Sequence, residues 1–103
     1  MDITISARHT TVPESLHEHA HRLGKRLDRY EPRAAALAIN LDQVNGVRSA
    51  EARLSVAGQP PMIATGLGPT WRNALNQAVD RIERQLRRGR QKRRQFRRAA
   101  AES

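Results

Sequence analysis

Hydrophobic and polar residues alternate in four short stretches, which predicts four β-strands. In the first stretch, Ile3, Ile5 and Ala7 are apolar and the residues between them are polar. The same period recurs in three later segments, 37–42, 50–56 and 62–67. Asn45-Gly46, between the second and third segments, is typical of a tight hairpin turn. The last strand is interrupted by glycines, so its pattern is weaker.

A first helix is predicted between the first two strands. Thr11 and Glu14 fit a capping box at its start, and Pro32 ends it. Apolar residues recur at spacings of three and four, as one face of a helix requires. They are Leu16, Ala20, Leu23, Leu27 and Tyr30.

A second helix is predicted to begin after Thr70, a suitable N-cap residue. Its apolar face is wide and ends near Leu86, after which the same side of the helix becomes polar. Gly89 adds a weak point, because glycine costs a helix interior about 1 kcal/mol. The apolar face comprises Trp71, Ala74, Leu75, Ala78, Val79, Ile82 and Leu86.

The element order β-α-β-β-β-α predicts an α+β fold. Only one face of the sheet is clearly apolar, so both helices should pack on that face and form a two-layer sandwich. The first two strands are joined through a helix and can be parallel, whereas the short later connections favour antiparallel pairs. We therefore expect a four-stranded mixed sheet within one domain over residues 1–89, followed by a flexible basic tail over 90–103.

The charge distribution narrows the choice of partner. The chain has 103 residues and a formal net charge of +9, from 19 Lys and Arg against 10 Asp and Glu. All of the excess lies between residues 81 and 98 and comes mostly from arginine, whose planar guanidinium suits phosphates. This composition predicts a polyanionic partner, most simply a nucleic acid.

Composition also excludes several classes of site. The chain has no cysteine, which rules out disulfides, thiolate zinc sites and cysteine nucleophiles. No apolar run is long enough for a membrane span, and Met1-Asp2-Ile3 does not open like a signal peptide. We therefore expect a cytoplasmic protein that makes no membrane contact.

Two rows of cations are expected to share the helix layer. On the first helix, one flank collects Arg22, Lys25, Arg26 and Arg29; on the second, Arg81, Arg84 and Arg88 follow at spacings of three and four. Helices lying side by side on one sheet would place both rows on one surface, which suits the phosphates of a folded RNA. Solvated helix faces are the alternative interpretation. Asp80 and Glu83 are expected to pair with arginines on their own helix.

The tail over 90–103 contains little besides Arg, Lys, Gln and Ala, with Phe96 its one aromatic residue. Segments of this kind typically become ordered on RNA, through contacts that ignore sequence and weaken steeply with salt. A solubilising extension is the alternative. The expected RNA contacts of the tail are Arg90, Lys92, Arg93, Arg94, Arg97 and Arg98.

One motif points to a different class of function. His17, Glu18 and His21 satisfy the H-E-x-x-H pattern, in which two histidines one helical turn apart bind zinc and the glutamate activates water. These residues lie off the apolar stripe, and no third ligand is evident in the sequence. We interpret the match as coincidental and expect neither a metal nor another cofactor, nor enzymatic activity. A small zinc hydrolase remains the alternative of another class.

Several longer segments resemble the bacterial ribosome hibernation-promoting factor and ribosome-associated inhibitor family, whose short forms are also called ribosomal subunit interface proteins. The resemblance spans roughly residues 1–90 and also includes the order of elements. Its most specific segment is Val79-Asp80-Arg81-Ile82-Glu83-Arg84-Gln85-Leu86. The others are Asp2-Ile3-Thr4-Ile5-Ser6, Pro13-Glu14-Ser15-Leu16 and Arg26-Leu27-Asp28-Arg29-Tyr30.

This resemblance implies a fold like that of a double-stranded-RNA-binding domain and a role in protecting idle ribosomes. It implies binding to 16S rRNA of the 30S subunit and the 70S ribosome, near the decoding centre, where the domain would block mRNA and tRNA. A small-molecule substrate is not implied, and the free protein is expected to be monomeric. Promotion and prevention of ribosome dimers both stay open, and a general double-stranded-RNA or ribosome-assembly protein is the nearest alternative. The family's basic residues correspond to Arg26, Arg29, Arg81, Arg84, Arg87 and Arg88.

Overall fold

The strands and helices occur in the predicted order in a computed structural model that describes residues 1–8 and 10–102. Residue 44 and residues 90–102 are described by their backbone alone. The elements are β1 (Asp2–Ala7), α1 (Glu14–Tyr30), β2 (Ala34–Val44), β3 (Val47–Val56), β4 (Met62–Gly68) and α2 (Trp71–Glu102).

The four strands form one mixed sheet in the order β1-β2-β3-β4. β1 is parallel to β2, with Ile3 opposite Leu37, and the two later pairs are antiparallel. The hairpin between β2 and β3 turns at Asn45 and Gly46, which have φ values of 53° and 77°. Positive φ at both central residues is the requirement of a type I′ turn, so the Asn-Gly signal is confirmed.

Both helices pack on the same face of the sheet. α1 contacts β1 and β2, α2 contacts β3 and β4, and the two helices contact each other. The core lies between the layers and contains fully buried side chains from both, such as Leu27, Leu37, Leu54, Leu75 and Ile82. The predicted α+β sandwich is therefore confirmed, including the position of both helices on one face.

The two helix starts differ in how closely they follow prediction. At α2, the Thr70 hydroxyl accepts a hydrogen bond from the Asn73 amide at 3.1 Å, as expected of an N-cap. At α1, the predicted capping box is wrong because Pro13 occupies the N-cap position and makes no side-chain cap bond. Thr11 thus lies two residues too early in the chain to reach the first turn. The Leu16 and His17 amides instead donate to the Pro13 carbonyl.

α2 lies unusually close to β4 and also covers the outer edge of that strand. A Cβ atom added to Gly66 would lie 2.0 Å from the Ala74 carbonyl oxygen, so only glycine allows this approach. Along the edge, Gln77, Arg81 and Gln85 form hydrogen bonds with backbone groups of β4. These side chains satisfy polar groups that an uncovered edge strand would expose.

The bounds of α2 include Gly89, where the sequence suggests a weak point. Side chains 90–102 and residue 103 lie outside those that the structure describes. The division into a 1–89 domain and a 90–103 tail, and the six predicted tail contacts, therefore stay predictions.

Candidate nucleic-acid interface

A row of exposed cations follows α1 on the side opposite its buried stripe. Arg22, Lys25 and Arg29 are all solvent-exposed and recur at spacings of three and four, which stacks them along one side of the helix. We call these three residues the α1 ridge. Their long side chains extend from a helix fixed in the core by Leu23 and Leu27, so the backbone beneath the charges is held in place.

A second row of exposed cations lies on α2 and is formed by Arg81, Arg84 and Arg88, which we call the α2 ridge. Arg81 donates to the Thr65 carbonyl of β4 and thus also takes part in covering the sheet edge. Arg84 and Arg88 line a shallow depression of about 300 Å³ beside β4 and are exposed to solvent. The helix layer therefore carries two rows of exposed cations, of which the first is the predicted α1 row without Arg26.

The two ridges are separated by a row of side chains that join α1 to α2. The central contact is made by Arg26, whose Nη2 lies 2.9 Å from Asp80 Oδ1 and whose Nε lies 3.4 Å from Glu83 Oε1. Asp80 and Glu83 thus pair with α1, and the expectation that they pair with arginines on their own helix is wrong. The physical reason is that both acids lie on the side of α2 that faces α1, where Arg26 reaches them. The row, which we call the seam, comprises His19, Arg26, Tyr30, Asn76, Asp80, Glu83 and Arg87.

One end of the seam joins His19 of α1 to Asn76 of α2. His19 Nε2 lies 2.5 Å from Asn76 Oδ1, and its Nδ1 is 3.4 Å from the Arg72 guanidinium. An arginine can only donate, so Nδ1 accepts and Nε2 carries the proton that is donated to Asn76.

At the other end of the seam, Arg87 contacts Tyr30 in two ways. Its Nη2 donates to the Tyr30 hydroxyl at 2.6 Å, and its guanidinium carbon lies 5.1 Å from the ring centroid. The hydrogen bond to Tyr30 is the main reason that the pKa of Arg87 is raised above its ordinary value. Arg87 is therefore a positively charged side chain with a fixed direction, as is Arg81 through its bond to the Thr65 carbonyl.

The contacts of Trp71 and Arg48 were not predicted from the sequence. The Arg48 guanidinium carbon lies 5.0 Å from the Trp71 ring centroid, and its Nη1 donates to the Pro69 carbonyl at 2.6 Å. The Trp71 indole nitrogen donates to the Asp42 carbonyl at 3.3 Å. Arg48 is thus held against the start of α2 and is not available as a phosphate ligand. Arg48 lies opposite Gly68 in the pairing of β3 with β4, which places it beside Pro69 and the start of α2. A prediction of this register would therefore have included the contact of Arg48 with Trp71.

The H-E-x-x-H residues lie at the surface of α1. His17 is partly buried, Glu18 and His21 are exposed, and the shallow depression around them of about 420 Å³ is also lined by Arg22 and Lys25. Within residues 1–8 and 10–102, the structure contains no group of three His, Cys, Asp or Glu residues that could hold a metal ion. The nearby cations of the α1 ridge would repel a dication. The depression is open to solvent and, among the side chains that the structure describes, forms no metal-binding group, so it differs from the dry cleft that zinc chemistry needs.

The outer face of the sheet has a different character from the helix layer. Its depression of about 460 Å³ is lined by residues that include Arg8, Asp42 and Glu51, so cations and anions are mixed there. Arg53 is also exposed on this face. The rows of exposed cations therefore lie on the helix layer and not on the outer face of the sheet.

Comparison with known proteins agrees with this geometry. A family model described as sigma 54 modulation protein / S30EA ribosomal protein matches residues 3–94. The fold is similar to the N-terminal domain of Thermus thermophilus Protein Y, with a TM-score of 0.75 and 22% identity over 85% of this chain and 98% of that one. It is also similar to a ribosomal subunit interface protein from Coxiella burnetii, with a TM-score of 0.73 and 15% identity over 87% and 98% of the two chains.

Two further comparisons gave negative results. No curated protein matches this chain significantly in sequence. Among the helices of the described residues, none combines the length and the apolar character that a membrane span requires.

Proposed function

Because this chain belongs to the sigma 54 modulation protein / S30EA ribosomal protein family, we propose that it inhibits translation by binding the small ribosomal subunit. The site would be 16S rRNA near the decoding centre, where the domain would block the mRNA and tRNA sites of the 30S subunit and of the 70S ribosome. The observation that carries this proposal is the pair of exposed cationic ridges on one helix layer. A structural relative described as a ribosomal subunit interface protein supports the same partner.

The proposed mechanism requires only binding to the ribosome and steric obstruction by the domain. Phosphate contacts from the α1 and α2 ridges supply affinity, because each neutralised phosphate releases condensed counterions. The sandwich beneath the ridges supplies the obstruction, since its packed core resists deformation by a competing ligand. The protein would act in the cytoplasm without a cofactor, a small-molecule substrate or an enzymatic step. Protection of idle ribosomes under stress and in stationary phase follows from the same occupancy.

The test is sedimentation with purified ribosomal particles. We expect the protein to co-migrate with 30S subunits and 70S ribosomes in sucrose gradients, and to lower the binding of mRNA and initiator tRNA to the 30S subunit in a concentration-dependent way. A general double-stranded-RNA or ribosome-assembly protein would bind a long RNA duplex as tightly as it binds 30S subunits and would leave mRNA binding unaffected. That result would reject decoding-site occupancy.

A second experiment separates the RNA-binding proposal from the zinc-hydrolase alternative. Replacement of Glu18 by Gln should leave 30S binding within about twofold of the wild type or slightly tighter, because it removes one exposed anion beside Arg22 and no cation of either ridge. Chelation with EDTA of protein alone, followed by removal of the chelator before Mg²⁺-dependent ribosomes are added, should have no effect either. A hydrolase would lose its activity under both treatments. Loss of ribosome binding with E18Q would instead give this motif a role that the proposal does not contain.

A further inference from the structure

The seam interrupts the positive charge of the helix layer. Arg26, its central cation, lies within ion-pair distance of two carboxylates, and so this contact carries a local net charge of −1. The side chain of Asp80 is 53% exposed and that of Arg26 is 42% exposed, whereas that of Glu83 is only 13% exposed. The negative charge at the centre of the layer is therefore accessible to an incoming polyanion.

The exposed ridges differ from this central contact. Arg22 and Arg29 on one helix, and Arg84 and Arg88 on the other, are solvent-exposed. The axes of packed helices are about 8–10 Å apart. In the seam, the carboxylates of Asp80 and Glu83 are balanced by the guanidinium groups of Arg26 and Arg87. The surface thus consists of two cationic rows with a strip of no net charge between them, and it differs from a uniform basic patch in that respect.

This pattern treats two kinds of RNA differently. A folded RNA presents phosphates in separate backbone tracts, which can contact the two ridges and span the seam. A flexible single strand has no fixed spacing and would collapse onto any continuous positive surface. On this protein it would have to place phosphates beside Asp80. Repulsion between these negative charges weakens the complex with single-stranded RNA more than the complex with folded RNA.

We propose that Asp80 and Glu83 are specificity-determining residues that select folded RNA with two phosphate tracts over flexible single-stranded RNA. They do so by holding Arg26 and by balancing the charges of Arg26 and Arg87, so that the strip between the ridges has no net positive charge. The proposal rests on the proposed function in one respect, since it assumes that the helix layer is the RNA-binding surface.

The test compares two RNA partners for the variant Asp80→Asn/Glu83→Gln. We expect poly(U) to bind about fivefold more tightly at about 0.1 M salt, with a salt dependence steeper by about 0.7 in log–log slope, because the released Arg26 gains a phosphate contact. Binding to 30S subunits should change by less than about twofold, since the phosphate tracts of a folded RNA would contact the two ridges and span the seam. The dissociation constant for poly(U) divided by that for 30S subunits is therefore expected to fall in the variant.

A matched control carries the same change in net charge on the opposite side of the molecule. Asp2 and Glu51 are both exposed on strands of the sheet, outside the helix layer. The variant Asp2→Asn/Glu51→Gln should leave poly(U) binding within about twofold of the wild type. An equal gain in this control would show that total charge alone matters and would overturn the proposal.

The remaining outcomes are also decisive. Equal gains for poly(U) and for 30S subunits, or no gain for poly(U), would contradict a role in selectivity. If the double variant unfolds, the single variant Asp80→Asn, at an exposed position, tests the same effect on poly(U). Failure of the wild type to bind 30S subunits would reject the proposed function, whereas a duplex RNA of the same length would still serve as the two-tract partner against poly(U).

Discussion

Replacing Arg22, Arg29, Arg84 and Arg88 together by Ala is expected to weaken binding to 30S subunits by at least about 100-fold at about 0.1 M salt. Each lost phosphate contact also removes about 0.9 from the log–log salt slope, so the quadruple variant should bind with a slope shallower by about 3 to 4. The measurement is a binding titration at several salt concentrations. All four side chains are exposed, and their removal should leave the free energy of unfolding nearly unchanged.

The two ridges can also be tested separately. The double variants Arg22→Ala/Arg29→Ala and Arg84→Ala/Arg88→Ala should each account for roughly half of the lost slope, because each removes two of the four contacts. Loss confined to one pair would show that a single helix binds RNA and would contradict a two-ridge surface.

The structure determines which arginines can serve as a control for the ridge variants. Arg8 and Arg53 are exposed on the sheet, away from the helix layer, so Arg8→Ala/Arg53→Ala should change 30S binding by less than about threefold. Arg48 is unsuitable, because its stacking on Trp71 and its bond to Pro69 make it part of the fold. Arg81 is unsuitable as a ridge variant for the same reason, given its bond to β4. A control as damaging as the ridge variant would mean that net charge alone drives binding.

The sequence predicted the features that follow from periodicity. Helical spacing placed Arg22, Arg29, Arg84 and Arg88 away from the buried stripes, and the structure leaves all four exposed. Strand alternation gave the buried face of the sheet, and the Asn45-Gly46 dipeptide gave the hairpin. These features are local, because the spacing of residues along one element decides which side of that element they occupy.

The seam could not be predicted in the same way, because it depends on how one helix is aligned against the other. Asp80 and Glu83 have arginines one turn away on α2, and sequence spacing alone favours those partners. The structure pairs them with Arg26, which is 54 residues from Asp80 along the chain. The family resemblance implies that Arg26 contacts RNA. In the structure, Arg26 instead forms ion pairs with Asp80 and Glu83 of α2, and it is less exposed than the ridge arginines.

The same limit explains the glycines of β4. Alternation predicts a strand there, but Gly66 weakens the pattern, and a strand glycine has several possible causes. The structure supplies the cause, which is the close approach of the α2 backbone at Ala74. The position of α2, and with it the α2 ridge, thus depends on the absence of a side chain.

Gly66→Ala is accordingly expected to be the most damaging single methyl addition in the fold. The new Cβ would meet the Ala74 carbonyl oxygen at 2.0 Å and the Ala78 amide nitrogen at 2.7 Å, and both are backbone atoms of a helix that cannot rotate away. Overpacking of this kind costs about 3 kcal/mol when the backbone must move. A loss of this size lowers the unfolding midpoint by roughly 10–20 °C in a domain of this length, which thermal unfolding measures directly.

Gly24→Ala provides the contrast that makes the prediction specific to backbone contact. Its Cβ would also be close to a neighbour, at 2.3 Å, but that neighbour is Cδ1 at the end of the flexible Ile3 side chain. Rotation of Ile3 relieves the overlap, and alanine gains about 1 kcal/mol over glycine inside a helix, so the net change should lie within about 1 kcal/mol of zero. Equal destabilisation at both positions would show that crowding is general to this core. A loss at Gly66 alone, accompanied by weaker 30S binding at a temperature where the variant is still folded, would show that the approach of α2 to β4 positions the α2 ridge.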